Sequence, residues 1–356
     1  MTAIDKIIRV LIVEDSRVIS EFLTEVLNAE PNIQVVGTAT DGREALAAAQ
    51  KLQPDVITMD INMPNVDGFE ATRSIMESCP TPIVIVSGSP TVGEVATNFK
   101  GLEAGALAVI ARPYGIGHPE HESSVHEMVE TVKLMSEIKV VRRWVRPRTT
   151  SLRMSSDGLE SSRPVYSANA RIVAIGASTG GPLALQTILS QLPREFPLPV
   201  LIVQHMTPTF TQGFADWLGT STPLPVRLAV AGDVLQPGTV YIAPDDYHTG
   251  LGADLRIFMS KTDRENGMRP AVSYLFRSIK ANFGAMSINV LLTGMGVDGA
   301  EELKALKDAG AVTIAQDEAS SIVHGMPGQA IKIGGATHIL SPSGIAKALT
   351  YLAIRS

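Results

Sequence analysis

Short apolar runs that alternate with segments of helical periodicity constrain the fold of this chain more than any other feature of the sequence. Each run is only a few residues long, and apolar residues recur at helical spacing in the segments that follow. This alternation is typical of a parallel sheet whose strands are buried on both faces by helices. In the first half, strands are predicted over residues 7–13, 35–37, 56–59, 83–86 and 107–110.

A second strand–helix series begins at Arg171, and a chain of 356 residues is long enough for about two domains. The pattern therefore predicts two doubly wound parallel-sheet α/β domains, over residues 1–141 and 169–356. Arg, Ser and Pro dominate residues 142–168, which we predict to be a linker. This basic segment is either a solvated tether or a contact surface for an acidic partner or for the other domain.

Composition excludes several classes of protein. The formal net charge of −6 argues against a nucleic-acid-binding protein, which usually carries a basic face. Cys79 is the single cysteine, so an internal disulfide is excluded and a cytoplasmic location is expected. Charges at Asp5, Lys6 and Arg9 and the lack of a long apolar core beside them argue against a secretory signal. No apolar run approaches the roughly 18 residues that span a bilayer, so we do not expect direct membrane insertion.

Acidic side chains follow two strands of the first predicted sheet. Glu14 and Asp15 come directly after the first strand, and Asp60 comes directly after the third. Carboxylates that converge at one sheet edge repel one another, and a hard cation such as Mg²⁺ neutralises them. A carboxylate beside Mg²⁺ can accept a phosphoryl group, which Ser87 after the fourth strand could contact. The alternative is that each acidic residue only caps the helix that follows it.

Two motifs lie beside Asp60: Met-Asp-Ile-Asn-Met-Pro over residues 59–64 and Val-Asp-Gly-Phe over residues 66–69. With them, roughly residues 5–140 resemble the receiver domain of two-component response regulators, which has a flavodoxin-like fold. The resemblance implies that Asp60 accepts phosphate from a phosphohistidine kinase. The Mg²⁺ ligands that it implies are Glu14, Asp15, Asp60 and the backbone carbonyl of Asn62.

The sequence departs from the receiver pattern at two positions. Receivers normally carry Lys-Pro after the fifth strand, whereas this chain has Arg112 followed by Pro113. A guanidinium keeps the charge, but its planar fork is a different phosphate contact from a compact ammonium. The aromatic switch position is occupied by Val109. We therefore expect Ser87 and Arg112 to contact the phosphoryl group, and we expect weakened or altered switching.

Polar residues also follow three strands of the second predicted sheet. Residues 176–180 fit the Gly-x-Ser-x-Gly spacing of a nucleophile elbow, with Ser178 at its apex. His205 and Asp298 each come just after another strand, so a parallel sheet would gather all three. A serine needs an imidazole to take its proton, and the imidazole needs a carboxylate to orient it. Taken singly, Ser178 and Asp298 could be helix caps and His205 a satisfied strand-end histidine.

Several motifs of the second half together resemble the chemotaxis receptor methylesterase (CheB) family, which has a receiver, a linker and a Rossmann-like methylesterase domain. They are residues 175–182, 204–206, 292–299, 314–321 and 325–331. The resemblance implies that Ser178 is the nucleophile, His205 the general base and later acid, and Asp298 the residue that orients it. It further implies that the Met295 backbone N–H is an oxyanion-hole donor and that Thr179 lines the site.

The resemblance also implies the reaction. The substrate is a glutamate γ-methyl ester on the cytoplasmic helices of a methyl-accepting chemoreceptor, and particular receptor glutamines are deamidated by the same residues. No cofactor is implied for the esterase reaction. The unphosphorylated receiver is expected to cover the catalytic cleft. Ser273 stands where many relatives have Asp, which predicts altered substrate contacts.

Three other functions explain the sequence less well. A dinucleotide site needs glycine where Ser178 stands, because backbone must approach the pyrophosphate closely. A DNA-binding output domain would be shorter and more basic than this second half. A regulator without catalysis would have no need of Ser178, His205 and Asp298. The histidines at 118, 121 and 126 have a loosely metal-like spacing, but we expect them to be solvated.

Overall fold

The computed structural model describes residues 6–88, 98–138, 140 and 169–354. It contains two parallel sheets, one of five strands and one of seven. A two-stranded antiparallel hairpin belongs to the same domain as the seven-stranded sheet. The two doubly wound α/β domains predicted from the sequence are therefore confirmed as a fold class. The predicted linker 142–168 lies outside the described residues, so the domain boundaries stay a prediction.

The first domain has five strands in the order β2-β1-β3-β4-β5, with every neighbouring pair parallel. The described elements are β1 Ile8–Val13, α1 Arg17–Asn28, β2 Ile33–Ala39, α2 Gly42–Leu52, β3 Val56–Met59, α3 Gly68–Ser78, β4 Ile83–Ser87, α4 Lys100–Ala104, β5 Ala108–Ala111 and α5 His121–Ser136. Strand β2 is longer than predicted, because it pairs with β1 from Ile33 to Ala39.

The second domain has the strand order β14-β13-β12-β6-β7-β9-β8, again with parallel neighbours. Its strands are β6 Ile172–Ala177, β7 Val200–Gln204, β8 Val226–Leu228, β9 Val240–Ile242, the hairpin β10 His248–Leu251 and β11 Ile257–Ser260, β12 Ser287–Leu291, β13 Val312–Gln316 and β14 His338–Leu340. Its helices are α6 Gly181–Leu189, α7 Phe210–Ser221, α8 Val272–Asn282, α9 Ala300–Asp308, α10 Met326–Lys332 and α11 Pro342–Ile354, with a 3₁₀ turn at Gly284–Met286.

Each sheet reverses its winding direction beside its first strand. In the first domain, β1 has β2 on one side and β3 on the other. In the second, β6 lies between β7 and β12. Ligands of open α/β sheets bind at the carboxyl ends of the strands that flank such a point. The residues that follow β1 and β3, and those that follow β6, β7 and β12, are therefore brought together.

The helix-cap alternatives are wrong for both Ser178 and Asp298. Helix α6 begins after Gly180, and α9 begins after Gly299, so glycines stand at the N-cap positions. Both glycines have positive φ, 79° and 80°, a conformation that a residue with a Cβ adopts only under strain. The side chains of Ser178 and Asp298 are therefore available for other partners.

Candidate functional site

The turn that carries Ser178 is held from two sides. Its backbone N–H donates to the carbonyl of Thr293 at 3.0 Å, and the Gln204 side-chain amide donates to its carbonyl at 2.8 Å. Gly294 packs against it so closely that a Cβ there would lie 2.6 Å from the Ser178 Cβ. Ser178 itself is buried. The ends of β6, β7 and β12 thus fix the position of this serine.

His205 lies on the neighbouring strand end and faces Asp298. Its backbone N–H donates to Ala177 at 2.9 Å, which continues the β6–β7 pairing. Its Nε2 lies 2.9 Å from Oδ2 of Asp298, and both side chains are buried. The two atoms are at hydrogen-bond distance, although the ring N–H is not aligned on the oxygen. Within the described residues, Nδ1 also has no hydrogen-bond partner, so this is not a satisfied strand-end histidine.

Asp298 accepts hydrogen bonds from the start of helix α8. The backbone N–H of Val272 donates to Oδ2 at 2.7 Å, and that of Ser273 donates to Oδ1 at 3.0 Å. The Ser273 hydroxyl and, at 3.2 Å, the Asn266 amide also donate to Oδ1. Burial acts to raise the pKa of Asp298, but His205 and then Ser273 lower it to about 2. This carboxylate is therefore ionised at neutral pH.

The sequence pattern identified neither Asn266 nor Ser273 as a partner of Asp298. The altered substrate contacts expected from Ser273 stay a prediction, and its hydroxyl is bonded to Asp298. No motif marks Asn266, which reaches Asp298 from a loop remote in sequence. Ser273 lies at the start of helix α8, where backbone N–H groups attract a carboxylate, but this helix was not predicted from the sequence.

The two predicted lining residues lie beside this group. Met295 is 48% exposed. Its backbone N–H donates to no acceptor among the described residues. The carbonyl of Thr179 accepts from the Thr293 hydroxyl at 2.9 Å, which ties the serine turn to the loop after β12. The assignment of both residues to roles in catalysis stays a prediction.

The acidic pocket of the first domain gathers Glu14, Asp15 and Asp60, with carboxylate oxygens within 4.8 Å of one another. Burial and then the charge of Asp60 raise the pKa of Glu14 to about 7. Burial also raises the pKa of Asp60, against the N–H groups of Ile61 and Asn62, which lower it. Carboxylate oxygens that lie this close and repel one another fit a hard divalent cation. The Asn62 side chain points to solvent.

The two residues predicted to contact the phosphoryl group lie at the carboxyl ends of the neighbouring strands β4 and β5. Ser87 is buried, and its Oγ accepts from the Asn98 amide at 2.7 Å. The Arg112 guanidinium crosses Gly88, where a Cβ would lie only 1.4 Å from its Nη2. Its charge acts to lower the pKa values of Glu14 and Asp60, so it lies near both carboxylates. Val109 packs against the hydrophobic core.

The three histidines of residues 118–126 form no metal site among the described residues, where the only candidate group is the acidic pocket. His118 stacks on Tyr114 with ring centroids 4.0 Å apart. His121 places Nδ1 at 2.6 Å from the Tyr114 carbonyl, and His126 is exposed. His118 and His126 are exposed, as expected for solvated histidines, whereas His121 is partly buried.

An aromatic contact joins the two domains. Phe99 inserts between side chains of α7: it stacks on Trp217 at 5.4 Å and lies 5.4 Å from Phe214 and 6.4 Å from Phe210, measured between ring centroids. Beside it, Glu103 accepts from the Trp217 indole N–H at 3.1 Å and from the Gln186 amide at 3.0 Å. The rings are buried, so this face of the first domain is attached to the second.

A second contact lies next to the serine turn. The hydroxyl of Thr207, two residues after His205, donates to Glu127 of α5 at 2.7 Å. Ile322 packs against the hydrophobic cluster that contains the apolar residues of α5. It also lies beside the serine turn, because a Cβ built on Gly180 would be 2.7 Å from the Ile322 Cβ. The first domain therefore touches segments that adjoin both Ser178 and His205.

Comparisons with known proteins identify the family of both domains. The family model "Response regulator receiver domain" matches residues 10–118, and "CheB methylesterase" matches residues 173–349. The chain thus combines a receiver domain with a methylesterase domain. A protein-glutamate methylesterase/protein-glutamine glutaminase of Nitrosospira multiformis is 54% identical over 97% of each chain. The chain belongs to the CheB methylesterase family, as its sequence motifs predicted.

Further relatives cover the same length. A protein of the same description from Geobacter metallireducens is 53% identical over 98% of this chain and 99% of its own. The crystal structure of the Thermotoga maritima CheB methylesterase catalytic domain covers 52% of this chain and 99% of its own, with 40% identity and a TM-score of 0.50. No helix within the described ranges combines the length and apolar character that crossing a bilayer requires.

Proposed function

We propose that the chain hydrolyses glutamate γ-methyl esters on a chemoreceptor, with Ser178 as nucleophile. The observation that carries the proposal is the buried approach of His205 Nε2 to Asp298 Oδ2, at 2.9 Å, beside the serine turn. Because Nε2 faces the carboxylate, Nδ1 is the nitrogen that exchanges protons with Ser178 and with substrate. Relatives described as protein-glutamate methylesterase/protein-glutamine glutaminase support both ester hydrolysis and deamidation of glutamine.

In the proposed reaction, Ser178 Oγ attacks the ester carbonyl while His205 takes its proton. The tetrahedral intermediate collapses, His205 gives the proton to the departing methoxide, and methanol leaves an acyl-enzyme. His205 then activates water, which hydrolyses the acyl-enzyme to free glutamate. The Met295 backbone N–H, which is free of other acceptors among the described residues, would stabilise the oxyanion.

We further propose that phosphorylation of Asp60 gates this reaction. A receiver domain implies a phosphodonor kinase, here a histidine kinase of the chemosensory system. Glu14, Asp15 and Asp60 would hold Mg²⁺, which would supply charge neutralisation for the carboxylates and an incoming phosphoryl group. Ser87 and Arg112 would contact that group. Because the proposed substrate lies on the cytoplasmic helices of a receptor, the reaction would take place in the cytoplasm.

The contacts between the domains support such gating. In this structure, α5 and Phe99 attach the receiver to segments that adjoin the serine turn and His205. A protein substrate would need room on this side of the site. Phosphorylation that weakens these contacts would therefore expose Ser178.

Methanol release from a methylated receptor tests the proposal. The intact chain is compared with Ser178→Ala and Asp60→Ala, each with and without a phosphodonor. We expect methanol release to require Ser178. We also expect it to rise with phosphodonor only when Asp60 is present. If no form that keeps Ser178 releases methanol, the esterase function is wrong. If release is equal with and without phosphodonor, the gating is wrong. A regulator without catalysis would bind the receptor and release nothing.

A further inference from the structure

We propose that Ser273 is a positioning residue that fixes the orientation of the Asp298 carboxylate, so that one of its oxygens stays directed at His205. The proposal deepens the esterase function proposed above and rests on it. Ser273 is buried, and its Oγ accepts the backbone N–H of Gly299 at 3.0 Å. A serine hydroxyl has a single proton, and that proton is directed at Asp298 Oδ1. The serine therefore bonds both Asp298 and the residue that follows it.

The two oxygens of Asp298 are held differently. Oδ1 accepts both from the Ser273 hydroxyl and from the Ser273 backbone N–H, whereas Oδ2 accepts the Val272 backbone N–H at 2.7 Å. Rotation of the carboxylate would take Oδ1 away from the hydroxyl. Ser273 thus opposes this rotation and keeps Oδ2 directed at His205.

Asn266 is a weaker candidate for the same role. Its amide lies 3.2 Å from Oδ1, and the residue is exposed in a loop. Ser273, by contrast, is fixed in helix α8 and is only 4% exposed. A rigid donor on a helix restricts an acceptor more tightly than a solvated amide on a loop.

Helix α8 offers a matched control for a purely structural role. Ser278 lies on the same helix and is also buried. Its hydroxyl donates to the Leu275 carbonyl at 2.7 Å and accepts the Leu251 N–H at 3.1 Å, without contact to Asp298. Ser278→Ala therefore removes a buried hydroxyl of similar bonding from the same element.

The test compares Ser273→Ala, Ser273→Thr and Ser278→Ala in the full chain with phosphodonor. We expect Ser273→Ala to lower kcat about tenfold with KM unchanged, because it removes one hydrogen bond to a charged group. Labelling of Ser178 by a fluorophosphonate, which needs no receptor, should slow by a similar factor. Ser273→Thr keeps the hydroxyl and should restore both rates. Ser278→Ala should lower the thermal unfolding temperature and leave both rates unchanged.

Rates are normalised to folded protein. Equal labelling rates for Ser273→Ala and the unaltered chain, or an equal loss in Ser278→Ala, would overturn the positioning role. If the unaltered chain is labelled at Ser178 but releases no methanol, the esterase function fails while the labelling rates still decide the role of Ser273. If the unaltered chain is not labelled at Ser178 at all, there is no activated serine and the positioning role is wrong as well.

Discussion

Phe99 of the receiver domain stacks on Trp217 of the methylesterase domain, with ring centroids 5.4 Å apart and planes inclined by 25°. Both rings are buried, and Glu103 accepts the indole N–H from the same side. The residue before Phe99 is Asn98, whose amide donates to Ser87 at the carboxyl end of β4. Ser87, which we predict to contact the phosphoryl group, is thus joined to the contact between the domains through two adjacent residues.

Replacement of Phe99 by alanine should loosen this contact. We expect methanol release without phosphodonor to rise about tenfold or more, because the aromatic side chain leaves a cavity in the interface. Phe22→Ala is the matched control, since Phe22 packs within the receiver domain and against His121. If basal release is unchanged in Phe99→Ala, the receiver does not limit access to Ser178 through this contact.

The acidic pocket should bind Mg²⁺ in a pH-dependent way. Without metal, the pKa of Glu14 is raised to about 7, so below that pH the cation must displace a proton. We expect affinity to fall by up to about tenfold per pH unit as pH drops below 7. Titration with Mg²⁺ at several pH values measures this slope. In Glu14→Gln the slope should flatten, and an equally steep slope there would argue against Glu14 as its source.

The same raised pKa has a consequence for stability. The Glu14 carboxyl binds its proton more tightly in the folded than in the unfolded protein. Its contribution to stability is therefore fully present below about pH 4.5 and is lost as the pH rises to about 7. Added Mg²⁺ should restore that loss. Thermal unfolding at pH 5 and pH 8, with and without the cation, measures it; a Mg²⁺ effect that is larger at pH 5 would contradict the assignment.

Gly88→Ala should impair phosphorylation of Asp60 without unfolding the receiver. A Cβ at residue 88 would occupy the space of the Arg112 guanidinium, which is the end of a flexible side chain and can move. Because the displaced guanidinium could no longer reach the phosphoryl group, we expect phosphorylation by a small-molecule donor to slow about tenfold. Gly115→Ala is the control, because a Cβ there meets nothing within 4 Å. Equal rates for the two variants would mean that Arg112 has no part in phosphorylation.

Gly294→Ala should disable the site by displacing Ser178. The new Cβ would lie 2.6 Å from the Ser178 Cβ and 2.4 Å from Met326 Sδ, so the turn has to shift. A misplacement of about 1 Å costs on the order of 100-fold in rate, which we expect for methanol release. Gly219→Ala, whose Cβ would be in ordinary contact with Val226, should keep full activity. Normal release by Gly294→Ala would show that the turn tolerates movement.

The fold and the strand-end residues of the site were predictable because they depend on local pattern. Apolar runs gave buried parallel strands, and parallel strands carry Ser178, His205 and Asp298 to one edge. The partners of Asp298 were not predictable, since Asn266 and Ser273 reach it from a loop and a helix whose placement depends on tertiary packing. The sequence pattern offered no means of choosing them among many polar residues.

The contact between the domains could not be predicted from the sequence for a different reason. Phe99 and Trp217 have the hydrophobicity of core residues, and periodicity does not distinguish a core from an interface between two domains. Glu103 is likewise an ordinary acidic residue of a short helix until Trp217 is placed beside it. Only the relative position of the two sheets identifies these residues as partners.

Asp298 also serves helix α8, because it accepts the N–H groups of the first two residues of a helix whose own N-cap residue, Ala271, provides no side-chain acceptor. Loss of this carboxylate would leave those donors unpaired as well as stopping the proposed chemistry. Within the described part of the chain, the Ser178 hydroxyl makes no hydrogen bond that supports a helix or strand. A descendant of this chain that abandoned catalysis could therefore lose Ser178 freely, yet it would remain under selection to keep Asp298 for folding alone.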